Sequence, residues 1–237
     1  MQKSSQKQWN CLENVVVGLD GCPGGWIACL WNAPDDMRFH FVKDPGRLFE
    51  FGDFPLLIGI DIPIGLAEGP RDCDILARQL LGKRRSSVFP APDRRLLQIQ
   101  EYEEANRLNR QWHGKGLSKQ TYNLLPKIRE VDAFARLGQS PLFEVHPELA
   151  FAQMAGAPMV HPKRKPEGFE ERRTLLLQHL PGVQLPERSS MGPAKPDDWI
   201  DAAAVAWTAR RIHEGIACRV PEQETYDQHG LLMAIHF

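Results

Sequence analysis

The sequence predicts a three-layer α/β domain built on a mixed five-stranded sheet. Residues 14–20 and 56–60 are short runs that are apolar on both faces, which is typical of central, parallel strands. Strands predicted at 26–31 and 37–42 follow the first run after short turns, so the first three strands should form an antiparallel meander. A further strand is predicted at 141–146. Strands mixed with helices around a central parallel pair favour a sheet covered by helices.

The remaining elements are mostly helical. Helices are predicted at 45–52, 70–81, 94–112, 119–137, 147–155, 168–180 and 196–214, and a last strand at 231–237. We expect a single domain over 14–237, with a basic helical insertion at about 66–140. Residues 1–13 are expected to be a disordered leader, because they are polar and lack the apolar core of a signal peptide.

Composition excludes several classes of protein. A chain of 237 residues with 42% hydrophobic and 25% charged residues is ordinary for a globular domain. Its five cysteines are irregularly spaced and form no C-x-x-C, which argues against a disulfide framework or a structural zinc site and favours the cytoplasm. No apolar run approaches the roughly 20 residues that span a membrane, so we expect no membrane partner.

Charge is unevenly distributed along the chain. The segment from Arg71 to Arg129 contains 13 Lys/Arg and 6 Asp/Glu, a net +7, whereas the whole chain carries −1. A basic segment beside an acidic remainder fits an anionic partner. Unevenly charged, solvated helix faces explain the same pattern equally well.

Three acidic residues follow predicted strands. Asp20 and Asp61 end the two apolar runs, and Glu144 follows Leu142 and Phe143. Ligands of α/β sheets gather at the carboxyl ends of the strands. Asp20 taken alone is better explained as a turn residue, but Asp61 lies among branched apolar residues, where an unpaired charge costs several kcal/mol. Glu144 is the preferred ligand of its segment.

Two further acids open the last long helix. Asp198 and Asp201 are three residues apart and share a helix face, and Asp201 leads into an Ala-rich stripe suited to close packing on a sheet. First-turn acids also stabilise the helix dipole, which is the simpler explanation. If these acids converge with Asp20 and Asp61, their repulsion requires a cation, and an all-oxygen site suits Mg²⁺ or Mn²⁺. Such sites hydrolyse phosphodiesters.

His146 and Glu148 follow Glu144 closely and are predicted to support the site. Glu144 and His146 share a strand face, and Glu148 falls in the first turn of the helix that Pro147 begins. Motifs of other enzyme classes are missing, including the P-loop, the nucleophile elbow and the H-E-x-x-H zinc motif.

Several segments resemble the RNase H-like superfamily. Val17–Gly21 is similar to the first-strand motif of RuvC-type resolvases, and Asp198–Ala206 is similar to their last helix. More closely, the chain resembles the family called domain of unknown function 429, described as predicted RNase H-like nucleases. The segments that carry this resemblance are Gly18–Trp26, Ile60–Leu66, Ser86–Pro92, Pro126–Glu130 and Glu144–Glu148.

The resemblance implies a metal-dependent nuclease of RNase H-like fold. Its catalytic and metal-binding residues would be Asp20, Asp61, Glu144 and Asp201, with Asp198 as a further ligand. DNA or RNA would be the partner, and the RuvC-type enzymes suggest a homodimer. Basic side chains would contact phosphates, namely Lys83, Arg84, Arg85, Lys119 and Lys127.

Two other functions remain open from the sequence. Sugar kinases and actin-like ATPases share this fold, so a small-molecule phosphotransferase or phosphohydrolase is an alternative, although those proteins need two such domains. A non-catalytic nucleic-acid-binding protein would keep the fold and the basic segment, but it would gain nothing from four acids.

Overall fold

The computed structural model describes residues 15–33, 36–51, 56–180, 182–186 and 193–237. Its strands are β1 (Val16–Cys22), β2 (Gly25–Ala33), β3 (Asp36–Val42), β4 (Leu57–Ile60), β5 (Leu142–Glu144), β6 (Arg219–Val220) and β7 (Ile235–His236). Its α-helices are α1 (Asp72–Leu81), α2 (Tyr102–His113), α3 (Lys119–Arg136), α4 (Pro147–Ala155), α5 (Pro166–His179) and α6 (Pro196–His213). Three 3₁₀ helices lie at Pro45–Phe51, Gly82–Ser87 and Arg94–Gln98. The predicted leader lies outside the described residues.

The predicted fold class is confirmed. The main sheet has the order β3-β2-β1-β4-β5. Strands β1, β2 and β3 pair antiparallel, while β4 is parallel to both β1 and β5. The two apolar runs are therefore neighbours at the centre of the sheet.

Helices cover both faces of this sheet. On one face Val17, Leu19, Ile58 and Ile60 pack with buried residues of α3, including Ile128. On the other face β2 packs with α4, α5 and the Ala-rich α6. The insertion between β4 and β5 therefore supplies one of the three layers, because α3 belongs to the main core.

Helix α6 lies unusually close to the sheet. A Cβ at Gly18 would lie 2.2 Å from the carbonyl oxygen of Ala202 and 2.2 Å from the backbone nitrogen of Ala206. Gly59 is paired with Gly18 on β4 and faces Val205. Glycines on the sheet and alanines on the helix thus let the two backbones meet, which fixes the start of α6 beside the ends of β1 and β4.

Some predicted elements differ from the structure. The helix predicted at 94–112 is two elements, because Arg129 of α3 binds the carbonyl oxygens of Leu97 and Ile99 and holds that stretch out of the helix. The helix predicted at 45–52 is the 3₁₀ helix Pro45–Phe51. The last strand is only Ile235–His236 and pairs with β6, which the sequence did not predict. None of the described helices is long and apolar enough to cross a membrane.

Candidate metal centre

Three aspartates meet where β1, β4 and α6 converge. Asp20 lies opposite Ile27 and alternates with Leu19, so it points to the α6 face of the sheet. Asp61 follows β4, and its N–H donates to the Leu19 carbonyl, which continues the parallel ladder by one residue. Asp201 is buried near the start of α6. The close packing of α6 on Gly18 brings the third carboxylate to the other two.

The closeness of these groups raises the pKa of two of them, Asp20 and Asp201. Burial, followed by the negative charges of Asp201 and Asp61, holds the pKa of Asp20 well above its usual range. Burial raises the pKa of Asp61, although a side-chain hydrogen bond with Asp20 opposes this rise. Burial therefore favours the protonated form of both Asp20 and Asp61 over the charged one, and repulsion adds to this effect at Asp20.

A lysine provides positive charge at this cluster. Lys163 lies in the loop between α4 and α5, and its ammonium forms an ion pair with Asp201 and lies 3.9 Å from Asp197. Burial raises the pKa of Asp201 to about 6, against the effect of Lys163. Burial alone would lower the pKa of Lys163, but the negative charges of Asp201 and Asp20 outweigh burial and raise it. One ammonium thus faces three carboxyl groups, of which Asp20 and Asp201 are buried and Asp61 is half-buried, and offsets only part of their charge.

The loop that carries Lys163 is anchored. The buried Arg172 of α5 donates to the carbonyl oxygen of His161 at 3.2 Å and pairs with Glu148 at 2.5 Å. Glu171 accepts hydrogen bonds from the N–H groups of Val160 and His161. Glu148, which was predicted to support the site, thus helps to position Lys163 through Arg172.

Glu144, the preferred ligand of its segment, lines the same cavity as Asp20 and Asp61 but is held by other partners. It pairs in register with Ile60, whose side chain lies on the α3 face, whereas Asp61 lies on the α6 face. Its Oε2 accepts from Arg71 at 2.8 Å and from the Ile64 N–H at 2.7 Å, and its Oε1 accepts from Arg71 at 2.9 Å. The structure therefore does not bring Glu144 into the aspartate cluster as a ligand, because both of its oxygens already have partners.

Arg71 connects four segments near the site. Besides Glu144, its guanidinium binds the carbonyl oxygens of Ile64 and Gly65 and pairs with Asp74 at 2.5 Å. Asp74 in turn accepts the Ala91 N–H at 2.7 Å. This buried network ties the segment after β4 and the segment 87–92 to the end of β5.

Asp198 has a structural role in its own helix. Its Oδ2 accepts the Lys195 N–H at 2.7 Å, which caps the start of α6. The side chain is half-buried, and its charge also contributes to the raised pKa of Asp20. Asp198 therefore stabilises the start of α6, as the simpler explanation has it. Its Oδ1 is the oxygen that a cation could use.

His146 supports the wall of the site. Its Nδ1 accepts the Glu148 N–H at 3.2 Å. Its Nε2 lies 3.3 Å from the carbonyl oxygen of Ser87, so the contact there requires an N–H on that nitrogen. His146 thus joins the start of α4 to the segment 87–92.

The basic residues predicted to bind phosphate divide into two groups. Arg84 donates to the carbonyl oxygens of Met159 and Val160, and Lys127 donates to Gly25 and lies 4.0 Å above the Trp26 ring. Lys83, Arg85 and Lys119 are exposed. Much of the positive charge in this segment is therefore used inside the protein.

The aspartate cluster fits a hard divalent cation by the chemistry of its donors. Asp20, Asp61 and Asp201 supply oxygen ligands, and the Lys163 ammonium already stands in for a cation at Asp201. Within the part of the chain that the structure describes, no group of three acid, histidine or cysteine side chains is arranged so that it could hold a metal ion. Binding would therefore require Lys163 to leave Asp201 and the three carboxylates to draw closer together around the ion.

Fold and site together define an α/β protein with a carboxylate cluster at the carboxyl edge of a mixed sheet. The chain belongs to the family described as "Protein of unknown function (DUF429)", whose profile matches residues 18–225. No curated protein matches the chain. Among solved structures, RuvC of Thermus thermophilus is similar, with a TM-score of 0.36 and 11% identity over 85% of this chain and 97% of that chain.

Sequence reasoning missed two central cations. Lys163 lies in a basic, proline-flanked loop that shows no motif, and Arg71 was counted only within the charge of its segment. Arg71 could have been predicted, because a buried Glu144 needs a positively charged partner. No comparable signal marks Lys163, because its position depends on the fold of the α4–α5 loop.

Proposed function

We propose that this protein is a divalent-metal-dependent hydrolase that cleaves phosphodiester bonds of nucleic acid. The observation that supports it is the convergence of the buried Asp20 and Asp201 and the half-buried Asp61, which come from three separate elements. Carboxyl groups held this close and out of water repel one another and destabilise the folded chain unless cations offset their charge. A function that uses the cation accounts for their being together.

Asp20, Asp61 and Asp201 would hold Mg²⁺ or Mn²⁺, with Asp198 beside them. When bound, the cation would polarise the phosphate and activate water for its attack. The chain itself would orient the phosphate at the sheet edge, and Lys163, released from Asp201, would offer its ammonium to a phosphate oxygen. Arg71 and His146 would keep the surrounding segments in place.

The proposal is tested by hydrolysis of bis(p-nitrophenyl) phosphate and of labelled oligonucleotides with Mg²⁺ or Mn²⁺. We expect metal-dependent cleavage that Asp61→Asn reduces by at least about a hundredfold, since losing one ligand misplaces the cation. Asp72→Asn, an exposed acid at the start of α1, is the matched control and should retain activity. Equal activity of Asp61→Asn and the wild type, or none from either while metal binds, would refute the proposal.

A further inference from the structure

A cavity of about 210 Å³ opens beside the aspartate cluster. Asp20 and Asp61 line it, α3 contributes Leu124 and Ile128, and the segment Ser87–Pro92 forms a further wall. Most of the lining area is apolar, although Asp74, Lys127, Glu144 and His146 also line the cavity. A largely apolar cavity next to a candidate phosphate site is unexpected for a protein that binds only the outside of a duplex, because duplex backbones are bound through charged and polar contacts.

The size of this cavity restricts its occupant. It exceeds the roughly 150 Å³ that suffices to enclose one benzene ring, and it falls below the roughly 300–1,000 Å³ of pockets for larger ligands. A cavity of this volume can hold one heterocyclic base. The phosphate attached to the same unit would then lie beside the candidate metal centre, where a bound cation would attract it.

The wall formed by the segment Ser87–Pro92 is held in place by hydrogen bonds. Asp74 accepts the Ala91 N–H at 2.7 Å, Arg78 donates to the Val88 carbonyl at 2.6 Å, and His146 lies against the Ser87 carbonyl. Between these anchors Phe89 remains 38% exposed. An exposed aromatic ring on a fixed wall is suited to stack on a planar base.

Phe89 also borders a second cavity. That cavity, of about 250 Å³, shares the segment Phe89–Pro92 with the first one and is lined further on by His113 and Lys115. Phe89 therefore lines both cavities. A chain of nucleotides could continue from the first cavity past Phe89 toward these basic side chains.

We infer that the first cavity takes the base of one unpaired nucleotide, and that the substrate is single-stranded nucleic acid or a free nucleotide. This inference depends on the proposed function for the role of the phosphate. A base within a duplex is stacked and paired, and its extrusion costs a few kcal/mol. Duplex would therefore be the poorer substrate.

The first test needs no metal. Adenosine and thymidine are titrated into protein labelled at its methyl groups, and the resonances of Val88 and Ile128 are followed by NMR. We expect both to shift, while the methyl groups of Ile75, exposed on α1, stay unchanged. Shifts absent from Val88 and Ile128 at millimolar nucleoside would overturn the inference.

The second test adds Mn²⁺ and measures affinity by calorimetry for nucleoside monophosphates, ribose 5-phosphate and inorganic phosphate. Monophosphates should bind more tightly than the sugar phosphate, and Phe89→Ala should weaken them by about tenfold. Phe89→Tyr should restore binding, and Leu137→Ala, also exposed but remote from the cavity, should have no effect. Equal affinity for ribose 5-phosphate would show that the base lies outside the cavity.

The third test compares cleavage of one labelled strand alone and in a duplex. Preferential cleavage of the single strand, lowered by Phe89→Ala through KM, supports a polymer substrate, whereas turnover confined to mononucleotide derivatives supports a free nucleotide. Equal cleavage of duplex would overturn the inference while leaving the hydrolase proposal intact. Nucleoside shifts without any metal-dependent hydrolysis would instead refute the proposed function and leave the cavity assignment standing.

Discussion

The ammonium of Lys163 forms an ion pair with the Asp201 carboxylate inside the aspartate cluster. The pair joins the α4–α5 loop to the start of α6, and the anchors of that loop hold the lysine in place. A cation entering the cluster has to compete with this ammonium. The same contact that stabilises the metal-free protein therefore limits its affinity for metal.

Lys163→Met should strengthen Mn²⁺ binding and weaken the metal-free fold. Without the ammonium, Asp201 is available to the ion, so we expect the dissociation constant measured by calorimetry to fall by about tenfold. The free energy of unfolding without metal should fall by about 1–2 kcal/mol, less than for a fully buried pair because the lysine side chain is 36% exposed.

Lys165→Met is the matched control, because Lys165 is an exposed lysine two residues further along the same loop. It should change neither quantity. Weaker metal binding in Lys163→Met would contradict the competition and indicate that the lysine assists the ion.

Stability without metal should fall as the pH rises. An unfolded aspartate has a pKa near 3.8, whereas burial raises the pKa of Asp201 to about 6 and that of Asp20 well above the usual range. Between about pH 4 and 6 the folded chain retains protons that the unfolded chain has lost, so the free energy of unfolding decreases with increasing pH. Denaturant titrations from pH 4.5 to 7.5 in EDTA measure this slope.

Asp20→Asn provides the comparison for that slope, since it removes one of the repelling carboxyl groups. The metal-free variant should be more stable than the wild type at pH 7.5 by about 1 kcal/mol or more, and the difference should shrink at pH 4.5. Glu222→Gln, on the surface, should follow the wild type. If the difference in stability between Asp20→Asn and the wild type did not grow from pH 4.5 to 7.5, the cluster would carry no such strain.

Arg71→Met should destabilise the fold severely. It leaves Glu144 and Asp74 buried without their cation, and breaking a buried pair in this way costs about 3–5 kcal/mol. Chemical denaturation measures the loss, and Arg85→Met, which changes an exposed arginine, is the control. A loss below about 1 kcal/mol would mean that Glu144 is not held by Arg71.

Gly18→Ala tests the contact that delivers Asp201. The added Cβ would overlap the backbone of α6 at Ala202 and Ala206, so the helix must move, and overpacking of this kind costs about 1–3 kcal/mol. Mn²⁺ affinity should fall as well, because Asp201 moves with the helix. Gly69→Ala, whose Cβ would meet nothing within 4 Å, should leave stability and affinity unchanged.

The sequence predicted the sheet because β1 and β4 are apolar on both faces and the turns after β1 and β2 are short. It also predicted Asp20, Asp61 and Asp201 as residues near one edge, since their positions follow from strand ends and a helix start. It could not show that Glu144 faces the other side of the sheet. That outcome depends on the pairing of Glu144 with Ile60, and strand register is not encoded where both faces are apolar.

Long-range contacts account for the other differences. The break before α2 depends on Arg129, about 30 residues away, which holds the carbonyl oxygens of Leu97 and Ile99. Lys163 reaches Asp201 only after the α4–α5 loop has folded against Arg172. The basic segment looked like a phosphate-binding surface, yet Arg71, Arg84 and Lys127 all have partners inside the protein.

The most direct measurement of the central claim is the anomalous scattering of Mn²⁺ in crystals of the wild type and of Asp61→Asn. We expect a peak in the wild type within direct coordination distance, about 2.0–2.3 Å, of oxygens from Asp20, Asp61 and Asp201, with the Lys163 ammonium displaced. The peak should vanish in Asp61→Asn. A wild-type map with no peak at millimolar Mn²⁺ and Lys163 still on Asp201 would show that the cluster is a structural ion pair and not a metal site.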